Sequence, residues 1–194
     1  MNTFLTILLV LAGIIMLFLL LALFAKDSYF LLKEISIQLP RQTVFEYVSQ
    51  LKNQDHYSKY AMMDPNMKKQ FHGVDGTVGF VYAWDGNKDA GQGEQKITSI
   101  QKGKRIDWDI RFIKPFSGQA KSFMLTESIS ENETRVKWGF SSKLKYPMNI
   151  MLLFMDMDKV VGRDLALSLS NLKNLLENGQ VELKHQGQLE SANI

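Results

Sequence analysis

The sequence predicts an α+β protein in which a curved antiparallel sheet wraps a long C-terminal helix, preceded by one transmembrane helix. Three observations carry this. Phe4 to Ala25 is apolar throughout, broken only by Thr6 and Gly13. Between Val78 and Ser142 apolar residues recur every second position, and from Ile150 to Leu176 they recur every third or fourth.

At 1.5 Å per residue the apolar head reaches roughly 33 Å as a helix, enough to cross a hydrocarbon layer. None of the 23 Lys and Arg or 20 Asp and Glu residues precedes Lys26. A cleaved leader is the rival reading, but it requires a basic start and a shorter apolar stretch, and no basic side chain precedes Phe4. Lys26, Lys33 and Arg41 all follow the span, which places the domain on the cytoplasmic side of a single-pass anchor. The expected organisation is an anchor over 1–25, a short juxtamembrane linker over 26–34, one domain over 35–179, and a disordered polar tail over 180–194. No Gly/Ser-rich or Pro-rich stretch lies in the linker, so the domain is tethered within roughly 30 Å of the bilayer.

Ile35, Ile37 and Leu39 alternate with Ser36 and Gln38 as a strand stopped by Pro40. Val44, Phe45, Val48 and Leu51 then repeat at helical spacing. Asn53 to Asp64 fits a second helical turn ending at Asp64-Pro65. Val78, Phe80, Tyr82 and Trp84 form a strand closed by Asp85-Gly86-Asn87, and Gly91 to Ile100 leads to the turn Lys102-Gly103-Lys104. From Arg105 to Ile113, Ile106, Trp108, Ile110 and Phe112 share one face and Arg105, Asp107, Asp109 and Arg111 the other, so one side is core and the other water. Strands over Lys121–Ile129 and Thr134–Ser142 follow. Pro147 then opens a helix of about 30 residues, or ~45 Å, stopped at Gly179.

Singly weak motifs occur here in a specific order: Asp64-Pro65, Trp84-Asp85-Gly86-Asn87, Gly91-Gln92-Gly93, Lys114-Pro115-Phe116, and Leu153 to Lys159 followed by Gly162 and Leu172-Lys173. From about Lys33 to Glu177 the chain thereby resembles the helix-grip fold of the START-like superfamily, also called SRPBCC, the polyketide cyclase/dehydrase and lipid-transport group. The resemblance implies a space between the concave sheet face and the long helix that holds an apolar ligand. Its wall would come from Phe80, Tyr82, Trp84, Trp108, Phe112, Trp138, Phe140, Phe154 and Met157, with Tyr57 and Tyr60 near the short helices. Where the family commonly has three tryptophans around those helices, this chain has Gln54, Tyr57 and Tyr60, which makes the pocket mouth more polar. Each of these aromatics also reads as ordinary core between a sheet and a helix.

Other chemistry is sparse. With 0 cysteines there is no disulfide, thiol nucleophile or thiolate zinc site. His56, His72 and His185 lack metal-ligand spacing, and the glycines Gly76 to Gly93 form no phosphate loop. A net charge of +3 is too small and too dispersed for a nucleic-acid footprint, though it suits a nearby anionic lipid surface. The expected function is a noncatalytic membrane module binding a lipid or other hydrophobic small molecule, with no cofactor and no metal. Two alternatives stay open. One is a scaffold using the Met148, Met151, Met155 and Met157 surface on a protein partner; the other is a cyclase- or hydrolase-type enzyme using Asp55, His56, Tyr57, Tyr60 and Glu127.

Overall fold

The apolar head becomes helix α1, Thr3–Phe24, long and apolar enough to cross a membrane; Ala22 alone among its residues is buried. In this computed structural model the described residues are 2–191, with side chains through 179. Seven strands follow: β1 Ser28–Ile37, β2 Lys68–His72, β3 Val81–Asp85, β4 Gln92–Gln101, β5 Arg105–Lys114, β6 Gly118–Ser130 and β7 Glu133–Lys143. They form one antiparallel sheet in the order β1-β7-β6-β5-β4-β3-β2. Helix α2, Arg41–Val48, and a 3-10 turn, Leu51–His56, connect β1 to β2. Helix α3, Met151–Phe154, a π-helical turn, Asp158–Gly162, and helix α4, Arg163–Ser191, complete the chain.

Alternation sorts the sheet into two faces as read. On the concave face Ile37, Ile97, Ile106, Trp108, Met124, Val136 and Trp138 are buried against Val44, Val48 and Leu51 and against Leu165, Leu169 and Leu172 of α4. On the convex face Arg105 reaches Asp107 at 2.6 Å and stacks its guanidinium 3.9 Å from the Phe123 ring centroid. That ring lies over Gly139, its cross-strand partner, where any larger residue would collide with it.

Three expectations need correction. The first strand begins at Ser28 rather than Ile35, so much of the supposed linker over 26–34 is sheet, paired from Ser28↔Lys143 onward. Phe30 and Leu32 are exposed on its convex side, which hid the alternation inside an apolar run. Strand β2 was not anticipated, because an edge strand reading Lys-Lys-Gln-Phe-His offers one apolar residue. The single helix expected from Pro147 is interrupted: Met155 is extended, with φ −109 and ψ 124. The Asp156 carboxylate then accepts hydrogen bonds from the backbone N–H groups of Asp158, at 3.1 Å, and Lys159, at 3.4 Å, and so caps a new helical start. The apolar period runs through this break, so periodicity alone could not reveal it. The expected tail over 180–194 lies outside the residues whose side chains are described, and the α4 backbone extends through Ser191.

Candidate ligand cavity

Between the concave sheet face and the start of α4 lies a cavity of about 230 Å³. Its sheet side is Tyr82 and Trp84 of β3, Gln95 of β4, Trp108, Ile110 and Phe112 of β5, Ser122 of β6, Trp138 and Phe140 of β7, and Tyr29 of β1. The opposite side comes from Gln54, Ser58, Tyr60 and Ala61 after α2, from Met67 and Ala90 in loops, and from Val161 and Leu165. All 3 tryptophans of the chain line it.

Local chemistry explains why these walls present apolar faces. The Trp138 indole N–H donates to Ser122 Oγ at 2.9 Å, and that hydroxyl donates to the Gly139 carbonyl at 2.9 Å. The Trp84 N–H donates to the Ala90 carbonyl at 3.2 Å. With their polar edges satisfied, the rings offer π-faces to the interior. Gly93 makes this arrangement possible, since an added Cβ there would sit 2.6 Å from both the Arg111 carbonyl and the Trp84 ring. The Tyr82 hydroxyl donates to Asp55 Oδ1 at 2.6 Å, and the Lys69 ammonium lies 3.0 Å from the same oxygen. Burial, then the bonded Asp55 carboxylate, pushes the Tyr82 phenol well above its ordinary range, so it stays protonated.

One polar feature remains. Gln54 is 6% exposed, and its Oε1 accepts from Gln95 Nε2 at 3.0 Å, while its own Nε2 is buried with no partner. Exchanging the two amide ends of both glutamines would move the orphan from nitrogen to oxygen without removing it. A buried polar group without a partner costs about 1–3 kcal/mol. The buried part of the wall, formed by Gln54, Ser58, Tyr82, Gln95, Trp108, Ser122, Trp138 and Leu165, is therefore uncharged with one unpaired neutral hydrogen-bonding group, whereas Tyr29, Tyr60, Ala61 and Val161 are partly exposed at the rim. Tyr60 is 38% exposed, and burial followed by the Asp164 and Tyr29 neighbours raises its phenol pKa.

Of the eleven wall residues expected from sequence, Tyr60, Tyr82, Trp84, Trp108, Phe112, Trp138 and Phe140 line the cavity. Tyr57 and Phe80 do not; they are core residues at 0% and 1% exposure. Tyr57 sits edge-on to Trp138 at 6.1 Å, and its hydroxyl lies 3.9 Å from the Met124 sulfur. Phe154 is 69% exposed, Met157 lies off the cavity wall, and both precede the turn that supplies Val161. Gln95, Ser58 and Ser122 were missed. Gln95 shares strand parity with Gly93 and Ile97, which was the available signal.

The acid–base candidates do not converge. His56 is exposed, and Asp55 faces Tyr82 and Lys69 from outside the lining. Glu127 lies on the convex side and pairs with Lys137 at 2.8 Å; that hydrogen bond holds its carboxyl below the ordinary range. Among the described residues no cluster of three His, Cys, Asp or Glu side chains suits a metal ion. A wider groove of about 570 Å³ on the convex face is lined by Arg105, Asp107, Asp109 and Lys121, but those charges neutralise one another in an open, solvated setting.

No family model and no curated protein matches the chain. Solved structures do. Norcoclaurine synthase from Thalictrum flavum superposes with a TM-score of 0.58 at 10% identity, covering 78% of this chain and 95% of that one. A protein of Chromobacterium violaceum gives 0.55 at 11%, covering 76% and 96%, and the Mll3558 protein of Rhizobium loti gives 0.55 at 15%, covering 75% and 95%. The chain has the helix-grip fold. Identities this low speak to architecture alone. A second structure of norcoclaurine synthase holds dopamine and hydroxybenzaldehyde.

Proposed function

We propose that this protein is a membrane-anchored, noncatalytic binding module that takes a hydrophobic small molecule, or one chain of a lipid, into the helix-grip cavity. The single observation that carries this reading is an interior space walled by three tryptophans and containing no charged side chain, with an unsatisfied Gln54 amide among its buried groups. Apolar contact supplies the affinity, and the amide selects a guest with one neutral hydrogen-bonding group, such as a hydroxyl or carbonyl oxygen. At about 230 Å³ the cavity falls just below the ~300–1,000 Å³ typical for drug-sized ligands, which favours a slim guest over a bulky one. Helix α1 supplies the anchor, and the basic residues after it favour a cytoplasmic domain.

Catalysis is the weaker reading, because His56 and Glu127 lie outside the cavity and Asp55 is occupied by Tyr82 and Lys69. The test is an organic extract of full-length protein purified from membranes, compared by mass spectrometry with a Leu165→Trp variant whose cavity is filled. An apolar species near one per chain, depleted in the variant, is expected. Equal extracts from both proteins would overturn the proposal.

A further inference from the structure

The stretch between β7 and α4 exposes apolar side chains that neither the core nor the cavity uses. Met148, Met151, Leu153, Phe154 and Met155 are 41%, 38%, 52%, 69% and 37% exposed. No charged residue falls between Lys145 and Asp156. This stretch is fastened to the end of α1. The last carbonyls of a helix lack partners, and Asn149 Nδ2 donates to the Ala22 carbonyl at 2.7 Å and the Ala25 carbonyl at 3.2 Å. Further up α1, the Tyr146 hydroxyl meets the Leu19 carbonyl at 3.4 Å, and the Phe154 ring packs on Phe18 with centroids 6.3 Å apart.

These contacts fix a depth. Phe18 lies roughly 9 Å along the helix from its Phe24 end. Helix α1 is about 33 Å long against a hydrocarbon layer of ~30 Å, so it has little slack. Whatever packs on Phe18 and Leu19 of a spanning α1 is therefore several ångströms inside the hydrocarbon boundary. Lys26 and Lys145 bracket the level at which charge returns.

We propose that residues 146–155 form a wedge lying in the bilayer plane, inserted into the leaflet that holds the C-terminal end of α1, so that lipid acyl chains cover this face. The inference rests on the reading of α1 as a membrane span. It sets the cavity rim at the lipid surface. The chain passes from Met155 into the turn that carries Val161, and Lys33 of β1 pins this turn through Asp158 at 2.8 Å. Tyr29, on the same strand, follows α1 closely enough to lie within ~17 Å of its end. A guest then enters from the bilayer without crossing water.

Because the chain has 0 cysteines, a single introduced thiol reports one position. Full-length Leu153→Cys, Leu11→Cys and Asn132→Cys proteins are spin-labelled and placed in nanodiscs of phosphatidylcholine and phosphatidylglycerol, and collisions with oxygen and with a water-soluble nickel chelate are measured. The wedge requires labels at Leu153 and Leu11 to favour oxygen, with the ratio inverted at Asn132, exposed in the β6–β7 turn at the end of the sheet opposite the Ser28↔Lys143 pair that follows α1. If Leu153→Cys does not fold, Met151→Cys reports the same face. A Leu153 label that behaves like Asn132 while Leu11 favours oxygen overturns the wedge and leaves the span standing. A water-accessible Leu11 label overturns both. Shielding of Leu153 from both reagents shows a protein partner or second copy on this face and also overturns the wedge.

Discussion

At the scale of single residues, Gln54 is the polar group that the cavity leaves unfinished. Replacing it by leucine removes the orphaned amide and also the acceptor for Gln95, so stability is expected to change by less than about 1.5 kcal/mol. Binding of a hydroxyl-bearing apolar probe should weaken roughly tenfold, the equivalent of about one hydrogen bond, while a pure hydrocarbon probe is unaffected. Equal losses for both probes, measured by titration, would show that the amide has no selecting role. The tyrosines make a second prediction. Burial first, then neighbouring acidic groups or phenols, raises the pKa of Tyr57, Tyr60 and Tyr82 above the ordinary 10.0. The unfolded chain therefore releases these protons at lower pH than the folded one. Their contribution to stability is complete below about pH 10 and is lost as pH rises towards the folded-state values. Phenolate absorbance from these residues should appear together with loss of the near-ultraviolet tryptophan dichroism; independent ionisation of all the tyrosines near pH 10 in a still-folded chain would contradict the burial described.

Elements show where sequence reading succeeds and where it stops. Strand β5 was fully legible, because a half-buried strand repeats every second residue and Ile106, Trp108, Ile110 and Phe112 keep that period without interruption. Strand β1 was only half legible: Phe30 and Leu32, exposed on the convex side soon after the apolar run of α1, erase the polar half of the pattern. Helix breaks are invisible to periodicity when apolar spacing continues across them, and at Asp156 the cue was a capping carboxylate, a local signal. Bulges are similar. A register shift falls at Gln92/Gly93, the missing Cβ of Gly93 leaves room for the Trp84 ring, and only the paired glycines Gly91 and Gly93 hinted at either. Gly93→Ala is expected to lose about 1–3 kcal/mol and displace Trp84, because the Arg111 carbonyl beside the new methyl is backbone and yields little. Chemical denaturation with tryptophan emission checks both; an unchanged midpoint and spectrum would refute the crowding argument.

For the whole molecule, sheet and helix around a hydrophobic interior were readable because they follow from pattern. The cavity's contents were less so, because they depend on which residues near the short helices face inward. Tyr57 and Tyr60 stand close in sequence, yet one is sealed in the core and the other stands at the rim. In the proposed function, α1, sheet and cavity together make a container held beside lipid, and the occupancy of the cavity decides that proposal. All 3 tryptophans border the space, so their emission reports on it directly. The decisive measurement is a titration of the full-length protein in nanodiscs with a brominated single-chain fatty alcohol, whose bromines quench indoles on contact. Saturable quenching that an unbrominated alcohol reverses and that Leu165→Trp abolishes is the predicted result. Quenching that rises linearly with bilayer content of the alcohol, identical in the filled variant, would show that nothing enters the cavity.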